Sequence, residues 1–249
     1  MGAYIDFSGR NVLVTGASRG IGRDVAKELL GMGANVIAHS RSGPGALRDA
    51  TGKVGGSLKY VAADLSTREG VERVASFVEG CCTELHGLVN NAGIYSGLAL
   101  GEETFDNWDL TVNTNLRAPF FLARLLRERL RAGKGSVVNI SSIMGLSASA
   151  GAYPYQASKS ALIHITRALS LELAPDVRVN CVAPGFIMTD MNKEGWNDAS
   201  FRKEVEERTP LGRWGRPEDI SSAVSFLLSE RASFITGETI LVDGGKSLF

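Results

Sequence analysis

The chain has 249 residues, 44% of them hydrophobic and 22% charged, which suits one large or two small globular domains with a sizeable core. Lys+Arg and Asp+Glu are both 27, so there is no basic surplus for holding nucleic acid or an anionic membrane. No apolar run reaches the roughly 18 residues of a membrane span, no signal peptide pattern opens the chain, and Cys81, Cys82 and Cys181 form neither a disulfide framework nor a zinc pattern, so a reduced, cytoplasmic protein is expected.

The first predicted strand covers 11–15. It runs into Thr15-Gly16-Ala17-Ser18-Arg19-Gly20-Ile21-Gly22, which opens a helix predicted over 23–31. Glycines there let the backbone turn sharply and approach a pyrophosphate, and the helix N-terminus offers unpaired N–H groups. A plain tight turn is the alternative. The second strand covers 34–38 and ends in Ala38-His39-Ser40-Arg41. An NAD site usually places an acid at that point to hold the ribose 2′-OH. Here Ser40, Arg41 and Arg19 offer a hydroxyl and two guanidiniums suited to a 2′-phosphate, which favours NADP(H) over NAD(H). Two solvated surface arginines are the bland alternative.

The third strand covers 59–63 and is followed by Asp64 and Leu65. The Asp64 carboxylate could accept from an adenine amino group or cap the next helix. The fourth strand, 87–90, leads into Asn91-Ala92-Gly93. A helix predicted over 105–131 carries Asn115 in an apolar pattern, where an amide costs burial free energy unless it has partners. It could hold a water near Lys159, or be a satisfied core amide.

The fifth strand, 136–140, delivers Ser142 to the carboxyl edge of a sheet, where ligands of such folds bind. The helix over 154–174 opens with Pro154 and carries Tyr155 and Lys159 four residues apart on one face. A free phenol has a pKa near 10, and a nearby ammonium favours the phenolate. Such a tyrosine can act as general acid in carbonyl reduction and general base in alcohol oxidation. A surface Tyr–Lys neighbour pair is the alternative.

A sixth strand over 177–182 precedes an irregular stretch, 186–216, with Phe186, Trp196, Phe201 and Trp214 among charges. An insertion of that size is usually a functional lid. A helix over 217–229 and a strand over 239–242 close the chain. His39, His86 and His164 lack metal-ligand spacing and read as structural; no metal site is expected.

Short apolar runs alternating with helical patterns predict an α/β fold. The glycine turn directly after the first strand favours a single-domain Rossmann fold, a doubly wound parallel sheet with helices on both faces, over a (β/α)₈ barrel. No linker or composition break divides residues 1–249.

Together these residues resemble the short-chain dehydrogenase/reductase family. Residues 15–22 look like its TGxxxGxG turn, and Asn90 to Gly93 like its NNAG motif. Ser142, Tyr155 and Lys159 match its catalytic Ser and YxxxK, and Asn115 its fourth catalytic residue. Pro184, Gly185, Ile187 and Thr189 lie in its PG-x3-T segment, which contacts the nicotinamide. The resemblance implies that Tyr155 passes the proton, Lys159 binds the nicotinamide ribose and lowers the Tyr155 pKa, Ser142 orients the carbonyl, and Asn115 holds a relay water. It also implies a homotetramer. The closest group is the 3-oxoacyl-[acyl-carrier-protein] reductases, on 211–220 and 232–237. Their carrier-docking arginine on the catalytic helix is here Leu171, although Arg129, Arg131 and Lys134 offer another basic patch. A small-molecule ketone or secondary alcohol is the expected substrate, with acyl carrier protein a further partner. A sugar or polyol dehydrogenase is the alternative enzyme. A non-catalytic nucleotide-binding regulator is the alternative from another class.

Overall fold

A computed structural model of the chain describes residues 5–45, 47 and 56–248. Among them seven parallel strands form one sheet in the order β3-β2-β1-β4-β5-β6-β7. The strands are β1 (Asn11–Thr15), β2 (Asn35–Ser40), β3 (Leu58–Ala62), β4 (Gly87–Asn90), β5 (Ser136–Ile140), β6 (Arg178–Pro184) and β7 (Thr239–Val242). Chain direction across the sheet reverses between β1 and β4. Crossovers on either side of that point therefore lie on opposite faces, and the gap above the strand ends forms a crevice.

Alternation along each strand feeds two cores. Val12 and Val14 of β1 pack with Val25 and Leu29 of α1 (Gly20–Gly31) and with Ile220 and Val224 of α9 (Pro217–Leu228). Leu13, between them, faces the other way. It joins Val71 and Val74 of α2 (Arg68–Cys81), Leu122 of α4 (Ala118–Leu125) and Leu169 of α6 (Tyr153–Leu173). Each fully buried aliphatic side chain of this kind contributes about 1.5–3 kcal/mol. The inner strands are buried throughout or nearly so, as expected. The edge strands β3 and β7 are less buried, since each pairs with a strand on one side only.

Four elements differ from the sequence expectation. The second strand runs on to Ser40, so that residue ends the strand instead of following it. Helix α2 was not singled out; its core-facing side is built from Val71, Val74, Ala75 and Val78, among charges. The predicted 105–131 helix is broken. It comprises α3 (Phe105–Val112), a π-helical turn (Asn113–Arg117), α4, and α5 (Arg127–Ala132), with Leu126 outside helical geometry. An apolar period continues across such a turn, so the pattern alone does not reveal it. Finally, the 186–216 stretch contains α7 (Lys193–Asn197), α8 (Ala199–Glu207) and a parallel bridge between Ile187 and Gly215. Phe186, Phe201 and Trp214 pack edge to face within it, with centroids 5.3–6.2 Å apart.

Candidate active site

The carboxyl ends of β1 and β4 are tied together by Thr15. Its hydroxyl accepts the backbone N–H groups of Asn91 and Ala92, each at 3.0 Å, and donates to the Val89 carbonyl. The Asn91 amide donates to the carbonyls of Thr15 (2.9 Å) and Gly16 (3.2 Å), so its donors brace the glycine turn. Gly16 has φ +66, and a Cβ there would stand 2.9 Å from the Ala92 Cα. Only glycine suits both the left-handed backbone and that close approach. His39 supports the turn from below. Its Nε2 donates to the Ala63 carbonyl at 3.0 Å, which leaves Nδ1 to accept from the Gly16 N–H at 3.4 Å. Burial lowers its pKa, which keeps it neutral. The reading of His39 as a structural histidine agrees with this.

Above the turn, α1 begins at Arg19 with no side-chain cap and no acid in its first turn. That N-terminus is a favourable place for an anion. Gly20 (φ +53) faces Thr189, whose methyl would stand 3.3 Å from a Cβ at that position. The structure thus brings the segment after β6 over the glycine turn. Gly22 faces Asn91 and the Gly16 carbonyl with no room for a side chain. Gly185 is packed against Asp243, and Ile187 lies in the core beside α9. This glycine-lined, uncapped cradle fits a dinucleotide.

At the adenosine end, the Ser66 N–H donates to the Asp64 carboxylate at 2.9 Å, which lowers the Asp64 pKa with help from Arg41. The cap of α2 is Thr67, which accepts from the Gly70 N–H at 3.0 Å. Asp64 therefore does not cap that helix, and Leu65 is buried in the core. Arg41 and Arg19 are both exposed; Arg19 lies 4.0 Å from Asp190. Ser40 is 5% exposed, and its hydroxyl is already engaged with Gly43 and Tyr60.

The candidate catalytic residues meet above β4 and β5. Lys159 is buried; its ammonium donates to the Ile140 carbonyl at 2.7 Å, and burial lowers its pKa to about 8. Its nitrogen lies 5.6 Å from the Tyr155 ring centre. Burial pushes the Tyr155 phenol up, the Ser142 hydroxyl pulls it down, and Tyr95 pushes it up further. The expected lowering of that phenol by Lys159 is not what this environment produces: desolvation dominates. The Ser142 oxygen accepts from the Met144 N–H at 3.1 Å, and its one hydroxyl proton is directed to the Tyr155 phenol.

Asn115 is fully buried in the π-helical turn. Its Oδ1 accepts from the Ile94 N–H and its Nδ2 donates to the Ile94 carbonyl, both at 2.9 Å; Nδ2 also reaches Ser158 at 3.3 Å. Gly93 lies between Asn115 and Lys159, since a Cβ there would stand 3.4 Å from one and 3.5 Å from the other. All four predicted catalytic residues are thus brought to one crevice. The sequence places Tyr95 only among the polar residues of 94–100 that could meet a substrate, without its edge-on contact to Tyr155 at 5.1 Å, and it gives no sign of Arg117, whose guanidinium bonds the Ser66 carbonyl from the same π-helical turn.

Residues 16–247 match the family model described as Enoyl-(Acyl carrier protein) reductase. The chain belongs to the short-chain dehydrogenase/reductase family. It is 39% identical over 257 residues to the L-xylulose reductase of Caenorhabditis elegans, covering 99% of each chain. It is 39% identical over 241 residues to the 3-oxoacyl-[acyl-carrier-protein] reductase of Chlamydia muridarum, covering 94% of this chain and 96% of the relative. The solved Pseudomonas aeruginosa RhlG/NADP active-site complex superposes with a TM-score of 0.92 at 34% identity, over 99% of this chain and 100% of that one. The protein is therefore an oxidoreductase of this family, using a nicotinamide coenzyme and a small-molecule substrate. Among the described residues no helix is long and apolar enough to cross a membrane, and no group of His, Cys, Asp and Glu could hold a metal ion.

Proposed function

We propose that the chain is an NADP(H)-dependent carbonyl reductase whose substrate is a 3-oxoacyl thioester. The observation that carries the reading is the meeting of Asn115, Ser142, Tyr155 and Lys159 beside a glycine-lined, anion-ready crevice. Gly16, Ser18, Arg19, Gly20, Ile21 and Gly22, with Asn91, Ala92 and Gly93, would hold the coenzyme. Pro184, Gly185, Ile187 and Thr189 would serve its nicotinamide end, and Asp64 and Leu65 its adenine end. The basic Arg41, with no acid at the end of β2, supports a 2′-phosphate, as does the NADP held by the superposed relative.

When bound, the nicotinamide supplies the hydride. The chain's own residues manage the proton. Ser142 turns its hydroxyl hydrogen from the Tyr155 phenol to the substrate carbonyl and polarises it. Tyr155 gives its phenolic proton to the oxygen as negative charge develops there. The buried Lys159 ammonium sits close enough to stabilise the phenolate left behind. Asn115 holds the loop after β4 through both polar atoms of Ile94, which fixes Gly93 between itself and Lys159. The segment 186–216, with its packed aromatic cluster, forms the wall and lid of the substrate pocket.

A second reading, reduction of a ketose or oxidation of a polyol, is favoured by the half-exposed Tyr95 phenol beside Tyr155 and by the L-xylulose reductase relative. The basic Arg129, Arg131 and Lys134 support docking of an acidic carrier; Leu171, 83% exposed, offers no charge to it. Exposed Phe105, Trp108 and Phe121 on α3 and α4 support a homotetramer, and the composition supports a cytoplasmic enzyme in one domain. The test is NADPH and NADH oxidation with acetoacetyl-CoA and with a ketose panel. Faster turnover of the thioester with NADPH is expected. Turnover of ketoses alone moves the assignment to the second reading, and none with either coenzyme removes the catalytic one.

A further inference from the structure

Ser40, Gly43 and Tyr60 form a closed hydrogen-bonded group beneath the loop that carries Arg41. The Ser40 hydroxyl donates to the Gly43 carbonyl at 2.7 Å and lies 2.6 Å from the Tyr60 phenol oxygen. Each hydroxyl has one proton. With the Ser40 proton on Gly43, the 2.6 Å contact requires Tyr60 to donate to Ser40. The Gly43 N–H approaches the same oxygen at 3.4 Å. Ser40 is then satisfied in every direction and only 5% exposed, so it has little left for a coenzyme phosphate. The loop is also pressed onto the glycine turn: Gly45 has φ +55, and a Cβ there would stand 2.9 Å from the Ser18 carbonyl.

Tyr60 comes from β3, where it pairs with Ala38 of β2, and its ring packs against the core that holds α1. A rigid strand residue therefore anchors the loop from below, two residues before the strand ends. We infer that Tyr60 is a positioning residue for coenzyme selection: its phenol fixes Ser40 and Gly43 and so holds the Arg41 loop in place to receive a 2′-phosphate. This rests on the NADP(H) reading above. It also reassigns Ser40 from phosphate ligand to loop anchor.

The test is calorimetric binding of 2′,5′-ADP and of 5′-AMP to wild type, Tyr60→Phe and Ser40→Ala, alongside NADPH and NADH turnover. The wild type is expected to prefer 2′,5′-ADP; if it does not, the NADP(H) reading itself fails. Losing one anchoring hydrogen bond should weaken 2′,5′-ADP about three- to tenfold in Tyr60→Phe and leave 5′-AMP within about twofold. The kcat with saturating NADPH should not change. Ser40→Ala should show the same selective loss, and the double variant no more than the larger single loss. If the wild type prefers 2′,5′-ADP but Tyr60→Phe keeps or increases that preference, Ser40 binds the phosphate directly and the inference is overturned. Equal loss of both ligands in Tyr60→Phe overturns it too, since that marks a general structural role.

Discussion

The Lys159 ammonium stands 5.6 Å from the centre of the Tyr155 ring while donating to the carbonyl of Ile140. Both side chains are buried, so each is held toward its neutral form: the phenol is pushed up and the amine is lowered to about 8. A neutral phenol is the proton-bearing form that carbonyl reduction requires.

Tyr155→Phe removes the transferable proton and little volume. Ketone reduction should fall by about 10²- to 10⁴-fold, the usual contribution of a positioned general acid. Coenzyme affinity, followed by fluorescence titration, should stay within about threefold. Retention of near wild-type turnover would contradict the role given to this phenol.

Lys159 makes stability depend on pH in a defined direction. Its pKa is about 8 in the fold against 10.5 unperturbed, so the unfolded chain binds more protons between those values. Stability from this group therefore rises with pH through that window, and is lost as pH falls through about 8. Keeping the buried amine charged below it costs about 3 kcal/mol. The raised Tyr155 pKa works oppositely above pH 10, so the comparison is made below that. Urea unfolding of wild type and Lys159→Met at pH 7 and 9.5 should show the wild type gaining about 2 kcal/mol on the variant. A difference that stays flat across these pH values is the contrary result.

Asn115→Ala should damage the fold as well as the chemistry. It strips partners from the N–H and carbonyl of Ile94, and leaving such groups unsatisfied costs about 1–3 kcal/mol each. A loss of about 2–4 kcal/mol in denaturant unfolding is expected, together with reduced turnover. An unchanged unfolding midpoint would mean that the amide is not what holds this loop.

Gly16→Ala combines a left-handed backbone with a Cβ set 2.9 Å from the Ala92 backbone. The conformation alone costs about 1–2 kcal/mol, and the loop after β4 must also move. Coenzyme binding, read by the thermal shift that NADP⁺ produces, should weaken at least about tenfold. Gly31→Ala, which meets nothing within 4 Å, is the matched control and should bind normally.

Much of this was legible before folding was considered. Strands such as β1, β4 and β5 are buried on both faces, so they read as apolar runs bounded by polar residues. The Tyr155–Lys159 pair and the glycine turn are local patterns whose spacing survives intact in the fold. Helix α2 escaped notice because its apolar positions are diluted by charges on an exposed face. The break at Asn113–Arg117 escaped because a π-helical turn leaves the apolar pattern nearly continuous.

The sequence by itself determined the α/β class, the strand positions and the glycine turn, because each depends on neighbours a few positions apart, and it nominated four candidate catalytic residues. Only the tertiary structure decided which of their polar atoms are free. Ser40 is claimed by Tyr60, Asn115 by Ile94, and the Lys159 ammonium by Ile140. These partners are 19 to 21 residues away along the chain. Hydrogen bonding and desolvation act through space, so what a side chain has left to offer a ligand is set by what the fold packs against it.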